Sequence, residues 1–582
     1  MIRTIIRKMM LTQILSTVTG MICLLIDSIV IGRFLGVDGI SAYGYASPMV
    51  LIFTAISTMI GAGSQVLCAR TMGVGDRKGT NRCFTAAVTA SLVISVIGIA
   101  VVFIFADPLC TLLGVGADTA EAPVFTLTRD YLRGFVLGAP ALMLQQIMVP
   151  FMQIAGKRKR LLGAIGAMSI GDVLFDLLNV FVFRFGMLGM GLASALSHYI
   201  AIAFVVSFFL DKNCIFRFRA SLLDKAVFLS MFREGTPVLV NQVCLVLLPL
   251  VRNNLLTYYG GFVAVAAYSV TSAVGSALFS IGSAVSFVSL TLSSMFFADK
   301  DKRSLKETVK TLLAYGITIY LVFDIIILIA AEPVAMIFIK DVSVVGIAAL
   351  GMRLVVPSYI PCVINGVLKN YYQGIGHTGL TMVICMMQNF IMTTISALIL
   401  GSFLGATGVW LSITCGEVLT LLFVFVYVSV KNKKPVHRSD DILMMSEIRG
   451  TDENDLFVRV VTKQEDVVEV SKSASDFCRR RGLERKTGMY IALAIEEMVN
   501  NTIRYGFADG KAHSIDVRII VNDEDTLFRI RDDCQSFDPV RYYELYKYDD
   551  PYSHIGIKMV MRLVKEAKYD NTLNLNNLFL TI

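Results

Sequence analysis

Residues 172–197 read DVLFDLLNVFVFRFGMLGMGLASALS, and the organisation of the chain follows from them. Two apolar runs meet near Arg184, and the only acidic groups are Asp172 and Asp176. Four residues apart, these two lie on one face of a helix. Its glycine-rich end, LGMGLASALS (188–197), returns as LGATGVWLSI at 404–413. Three more pairs keep a similar spacing: GVDGISAY (36–43) with GFVAVAAY (261–268), GDRKGT (75–80) with DKDKRSL (299–305), and QIAGKRKR (153–160) with QGIGHTGL (373–380). The offsets stay between 216 and 225 residues, so a unit of six helices is repeated in the same sense. Two such units facing each other make a transport path between them.

The whole chain supports this. Of 582 residues, 55% are hydrophobic and 17% charged, and the mean hydropathy is +0.67. A single soluble globular domain is excluded. Residues 431–582 hold 24 Lys+Arg and 26 Asp+Glu, against 29 and 19 in the 430 residues before them. A membrane-embedded part therefore precedes a soluble part, joined near Lys431. The net charge of +8 belongs to the membrane part, which gives nucleic acid no role as a partner. A bilayer core takes about 20 apolar residues per helix. Spans are expected near 11–35, 45–69, 84–106, 127–150, 161–183, 188–210, 236–258, 265–297, 308–330, 351–372, 378–400 and 404–430. Pro48, Pro140, Pro237, Pro249 and Pro357 are expected to kink helices.

Basic residues crowd alternate loops: Arg70, Arg77, Lys78 and Arg82 after the second span, Lys157–Arg160 after the fourth, KNKKPVHR after the twelfth. The loop after the third span, ADPLCTLLGVGADTAEAPVF, has none. The positive-inside rule makes both termini and the soluble part cytosolic, in a multi-pass protein of the cell (inner or plasma) membrane. No cleavable leader is expected, because Arg3, Arg7 and Lys8 run into an apolar stretch too long for a signal core. The eleven cysteines are scattered, with no C-x-x-C pair and no Cys/His cluster, which argues against disulfides or a zinc site.

LLIDSIVIGRFLG (24–36), QIAG closing the fourth span, residues 172–197 and the 6+6 repeat together resemble the multidrug and toxic compound extrusion (MATE) family, over roughly residues 1–430. The resemblance implies export of small organic, often cationic compounds in exchange for Na⁺ or H⁺. It places a cation-coupling aspartate at Asp27 and the family's helix 5 aspartate at Asp176; Asp172 stands where the family more often has Asn. Ionisable groups inside a bilayer mark transport sites by default. Asp27, Asp172 and Asp176 could hold a coupling cation through oxygen ligands or hand on a proton. Asp324 and Glu417 are expected to be local structural groups.

In the soluble part, LFVRVV (456–461), SIDVRIIV (514–521), TLFRIRD (526–532) and LNLNNLFLTI (573–582) read as strands, and 464–481, 486–506 and 555–567 as helices. A two-layer α/β sandwich is expected. AIEEMVNNTIRYGF puts Glu497 and Asn501 on one helix face, a base beside a carboxamide oxygen suited to a Mg²⁺-phosphate site. Asp532 ends a strand where it could accept from an adenine amino group, and Gly556 in HIGIKMV opens a helix where phosphate meets backbone N–H groups. In this order the stretches resemble the GHKL ATPase fold, in its anti-sigma-factor serine kinase branch, over about 455–582. The resemblance assigns Glu497 as general base, Asn501 as Mg²⁺ ligand, Asp532 as adenine reader and Gly556 to the second glycine box. Cys534 and His554 depart from it, each where a glycine is usual. No G-x-x-x-x-G-K-[ST] occurs, so a P-loop motor is not expected.

The expected fold is thus an all-α polytopic bundle of twelve helices in a 6+6 repeat, followed by a small GHKL-like α/β two-layer sandwich. Residues 1–210 and 211–430 are the two bundles, 431–454 a basic, polar linker, and 455–582 the cytosolic ATP-binding domain. The expected function is Na⁺- or H⁺-coupled efflux of small organic compounds, with ATP and Mg²⁺ at a regulatory domain whose resemblance implies serine-kinase-like action on a cytosolic protein. The alternatives are a membrane-tethered anti-sigma-type kinase or sensor, and a flippase of lipid-linked precursors.

Overall fold

The computed structural model describes residues 2–113, 122–209, 214–338, 342–445, 456–509, 513–521, 526–546, 555–573 and 575–582. His554 lies outside them. Among the described residues ten helices are long and apolar enough to cross a bilayer, and a bent pair, Pro123–Val136 with Ala139–Ile154, makes an eleventh. The 29-residue helix Ile2–Val30 is about 43 Å long at 1.5 Å per residue and so is also long enough for a core of about 30 Å. The fourth span is therefore broken, by 50°. Pro140 stands in the first turn of its second half, where its missing N–H is tolerated and a continuous ladder is not. The seventh and eighth spans are one helical run, Lys225–Ala298, interrupted at Gly261 with φ 62°.

The backbone repeats as the sequence does. Positive φ falls at Gly36 and Gly261, Gly75 and Lys300, Gly156 and Gly376, and Gly186 and Gly405. Asp76 and Asp301 cap the helices that follow in the same way, accepting from Gly79 N at 2.9 Å and Ser304 N at 3.0 Å.

The two bundles meet at the end that carries the basic loops. A Cβ on Gly63 would strike the carbonyl oxygen of Met231, one on Gly235 that of Met59, and one on Gly73 that of Met295. Arg70 crosses this seam, pairing with Glu234 at 3.0 Å and donating to the carbonyl oxygens of Gln373 and Gly374, both at 3.2 Å.

Beyond Asn432 the chain does not simply hang. The hydroxyls of Tyr371 and Tyr372 donate to the carbonyl oxygens of Leu443 and Ile442, at 2.7 and 2.6 Å, and Met444 is fully buried. The C-terminal unit is an antiparallel sheet in the order β1-β2-β3-β5-β4: β1 Leu456–Val461, β2 Ile515–Val521, β3 Thr526–Asp532, β4 Glu566–Thr572 and β5 Leu575–Thr581. Val517, Ile519, Phe528, Ile530 and Leu578 point to one face and pack on Ile491, Ile495 and Val499 of the helix Arg485–Gly506. The alternate residues Asp516, Arg518, Arg529 and Arg531 point the other way, toward the bundles.

Two expectations are corrected. The helix expected over 555–567 stops at Leu563, and residues Glu566–Thr572 form β4, so the single closing strand is a hairpin. In EAKYDNT the buried residues are Tyr569, Asp570 and Thr572, a polar set that hides a strand from a hydrophobic pattern. A further helix, Pro539–Tyr546, forms because the Asp538 carboxylate accepts from Val540 N and Arg541 N at 3.0 and 2.9 Å.

Candidate functional sites

Glu497, Asn501, Asp532 and Gly556 line one cavity of about 740 Å³ on the helical side of the sheet. The helix Arg485–Gly506 buries Ile491, Ile495, Met498 and Val499, which turns Glu497 and Asn501 toward the cavity. Gly556 is the second residue of Ile555–Leu563, and a Cβ there would run into Glu497 Oε2. Any larger residue there would make the end of the Glu497 side chain move aside. Asp532 ends β3 and is buried. Burial pushes its carboxyl up, while hydrogen bonds from Asn576 and the Cys534 backbone draw it back. Asn576 Nδ2 donates to Asp532 Oδ1 at 2.7 Å, and the Tyr569 hydroxyl donates to Asn576 Oδ1 at 2.7 Å.

Asn576 and Tyr569 escaped the sequence reading. Their signal is a polar pair, Asn576–Asn577, inside an otherwise apolar strand. Cys534 also lines the cavity, and its side chain lies against Gly506, where a Cβ would meet Cys534 Cβ at 2.8 Å. A glycine on the facing helix thus makes the room that the cysteine takes. The fold also gathers His513, Asp533 and Cys534 with ligand atoms within 4.8 Å of one another, a grouping their spacing in the chain conceals. His513 Nδ1 and Ser514 N reach Asp533 Oδ1 at 3.2 and 3.0 Å.

Asp570, on β4, is buried and its Oδ1 has no hydrogen-bond partner. Burial pushes its carboxyl from 3.8 up to about 6, against the pull of Arg77. Between about pH 4 and 6 the folded chain therefore holds a proton that the unfolded chain has released, so stability falls as pH rises through that window. Asp570→Asn should flatten this part of the curve of thermal midpoint against pH.

In the first bundle Asp27, Asp172 and Asp176 are 7%, 6% and 0% exposed. Among the described residues, no donor meets Asp27 Oδ1, Asp172 Oδ1 or either Asp176 oxygen. Buried oxygens without donors call for a cation or a proton. Among the described residues the three do not form a set of ligand oxygens all within 4.8 Å of one another.

The second bundle is different. Glu417 accepts from Asn365 Nδ2 at 2.8 Å and Gln388 Nε2 at 3.0 Å. Lys369 Nζ donates to Gln388 Oε1 at 3.0 Å and Asn241 Oδ1 at 3.1 Å. Glu417 is thus held in a satisfied polar network, as a structural group would be. Lys369, a charge in the midst of CVINGVLKNYY, was the overlooked signal. Asp324 is buried, with Oδ1 unpartnered.

Comparison with known proteins follows this division. The MatE family model matches residues 9–178 and 237–399, more than half of the chain, and a histidine kinase-like ATPase domain matches 460–582. The multidrug export protein MepA of Staphylococcus haemolyticus is 24% identical over 442 residues, 74% of this chain and 93% of that protein. MepA of Staphylococcus saprophyticus is 24% identical over 425 residues, covering 71% and 90%. Among solved structures, the outward-facing conformation of a multidrug resistance MATE family transporter of the MOP superfamily superposes with a TM-score of 0.70 at 16% identity, over 77% of this chain and 97% of that one. The Vibrio cholerae MATE transporter VcmN in its bent form gives 0.69 at 16% identity, over 77% and 98%. At such identity these two attest the fold.

Proposed function

The chain belongs to the MatE family, and from that premise we propose that it is a proton-coupled exporter of small organic compounds, regulated by its C-terminal ATPase-type domain. The carrying observation is the trio Asp27, Asp172 and Asp176, buried together with four oxygens that no protein donor satisfies. Buried carboxyls gathered in one bundle without donors are best satisfied by a shared proton. The names of the MepA relatives support multidrug compounds as the cargo. The test is uptake of a fluorescent cationic dye into everted vesicles. An imposed pH gradient should drive it and a protonophore should stop it. Uptake driven by a Na⁺ gradient alone would move the coupling ion to Na⁺.

Orientation follows from the basic loops, which place their end of the bundles in the cytosol. The C-terminal sheet packs against that same end, and ATP is available there. The seam is the closed cytosolic side of the path. Gly63→Val should keep it from closing, since overpacking costs about 1–3 kcal/mol. Dye uptake should then fall about tenfold or more, with the protein still inserted.

The cavity in the sandwich fits Mg²⁺-ATP. Its Glu/Asn pair suits a metal-phosphate group, and the space beside Glu497 is one that a side chain at position 556 would fill. Bound there, the nucleotide supplies a phosphoryl donor. Asn501 would hold Mg²⁺ through its amide oxygen, and Asp532 would accept from the adenine amino group. Glu497 is placed to take a proton from a hydroxyl, whether of water or of a protein serine.

A further inference from the structure

The outer face of the sheet carries three arginines, Arg518, Arg529 and Arg531, only 2–3% exposed. Arg518 and Arg529 stand directly opposite each other across β2 and β3, an arrangement that repels unless anions come between. Asp516 on β2 supplies one, at 2.9 Å from Arg529. The others come from the turn that joins the eighth and ninth spans. The Asp299 carboxylate contacts Arg529 and lies 3.1 Å from Arg531, and Asp301 is 3.4 Å from Arg529. The carbonyl oxygens of Asp299 and Lys300 accept from Arg518 at 2.8 and 3.0 Å. Arg531 also stacks over the Phe296 ring at 5.5 Å. This is the grip on the second bundle.

The far edge of the same sheet grips the first bundle. Leu573, at the tip of the β4–β5 hairpin, donates its N–H to the carbonyl oxygen of Ile154 at 2.7 Å, capping the end of Ala139–Ile154. Leu573 and Leu575 are buried in the hydrophobic cluster of the bundles. Arg77 donates to the Tyr569 carbonyl oxygen at 2.5 Å. One rigid sheet therefore bridges the seam that Gly63, Gly235 and the Arg70–Glu234 pair hold closed. The same hairpin forms one wall of the nucleotide cavity, through Tyr569 and Asn576, and Asn576 holds Asp532.

We infer that the sheet is a clamp across the cytosolic ends of both bundles, and that nucleotide in the adjoining cavity tightens it and slows transport. This rests on the nucleotide-binding reading above. A ligand that orders Asp532, Asn576 and Tyr569 lowers the entropy cost of docking the hairpin they belong to. Alternating access needs the bundles to move against each other, so a tighter bridge slows turnover. Linkage makes the effect reciprocal: releasing the clamp weakens nucleotide binding.

The test uses the full chain in lipid nanodiscs, with hydrogen exchange and Mg²⁺-ATP binding measured on one sample and dye uptake measured in proteoliposomes. Mg²⁺-ATP should slow exchange of the Leu573 amide and of the 299–301 turn by about threefold or more, and should slow uptake. Arg77→Ala removes one grip at a side chain 58% exposed, so folding is not at stake. It should still bind Mg²⁺-ATP, more weakly than wild type, while losing most of the slowing of uptake. Binding with unchanged exchange and unchanged uptake would overturn the clamp and leave the nucleotide site standing. No binding at all would overturn the nucleotide site, and the nucleotide control of the clamp with it. Fast exchange of the Leu573 amide both with and without nucleotide would overturn the docking itself.

Discussion

Asp27→Asn should abolish proton-driven export while the protein still folds and inserts. The substitution keeps the shape of the side chain and removes a proton carrier from the three carboxyls buried in the first bundle. Groups that transfer protons contribute roughly 10²–10⁴-fold to rate, so dye uptake should drop to about 1% of wild type or below. Stability should hold or rise, because a buried carboxyl oxygen without a donor is replaced by an amide whose N–H₂ can donate to a neighbouring carboxylate. An unchanged thermal midpoint alongside lost uptake is the expected pair of results. Uptake near wild type would move the coupling group elsewhere, with Asp324, also buried with an unpartnered oxygen, next in line.

Gly556→Ala should weaken nucleotide binding. The added methyl meets Glu497 Oε2, with helical backbone on one side and the acid on the other. The end of the Glu497 side chain can swing aside, so the cost is about 1 kcal/mol, roughly a fivefold loss of affinity. The double variant Gly556→Ala/Glu497→Ala relieves the clash and should recover binding without phosphoryl transfer. A titration of the full-length protein with Mg²⁺-ATP reads both, and additive losses would mean that the two residues do not touch in the working state.

The parts legible in the sequence are those fixed by local chemistry. The repeat could be read because each bundle breaks its helices at equivalent points, and a positive φ there favours glycine, as at Gly36 and Gly261. The carboxylates of the first bundle stood out because charge inside an apolar helix is rare. Glu497, Asn501, Asp532 and Gly556 could be found because their spacing ties them to particular elements, and the fold gathers all four at one cavity. What could not be read depends on partners far away in the chain. The alternation in β3 shows Arg529 and Arg531 sharing a face, but nothing local shows that Asp299, more than 200 residues earlier, meets them. β4 was concealed because its inward residues include Asp570 and Thr572, buried by tertiary contact against their polarity. Asn576 reads locally as one more polar strand residue, and its role comes from its hydrogen bond to Asp532, 44 residues earlier. Lys369 went unnoticed because its partners, Asn241 and Gln388, come from two other spans.

The central claim is that an ion gradient powers transport and nucleotide only adjusts it. Its most direct test is dye uptake by the purified full-length protein in proteoliposomes under two conditions: a pH gradient with no nucleotide, and Mg²⁺-ATP on the side of the C-terminal domain with no gradient. The account predicts uptake in the first and none in the second. Uptake sustained by Mg²⁺-ATP alone would contradict it.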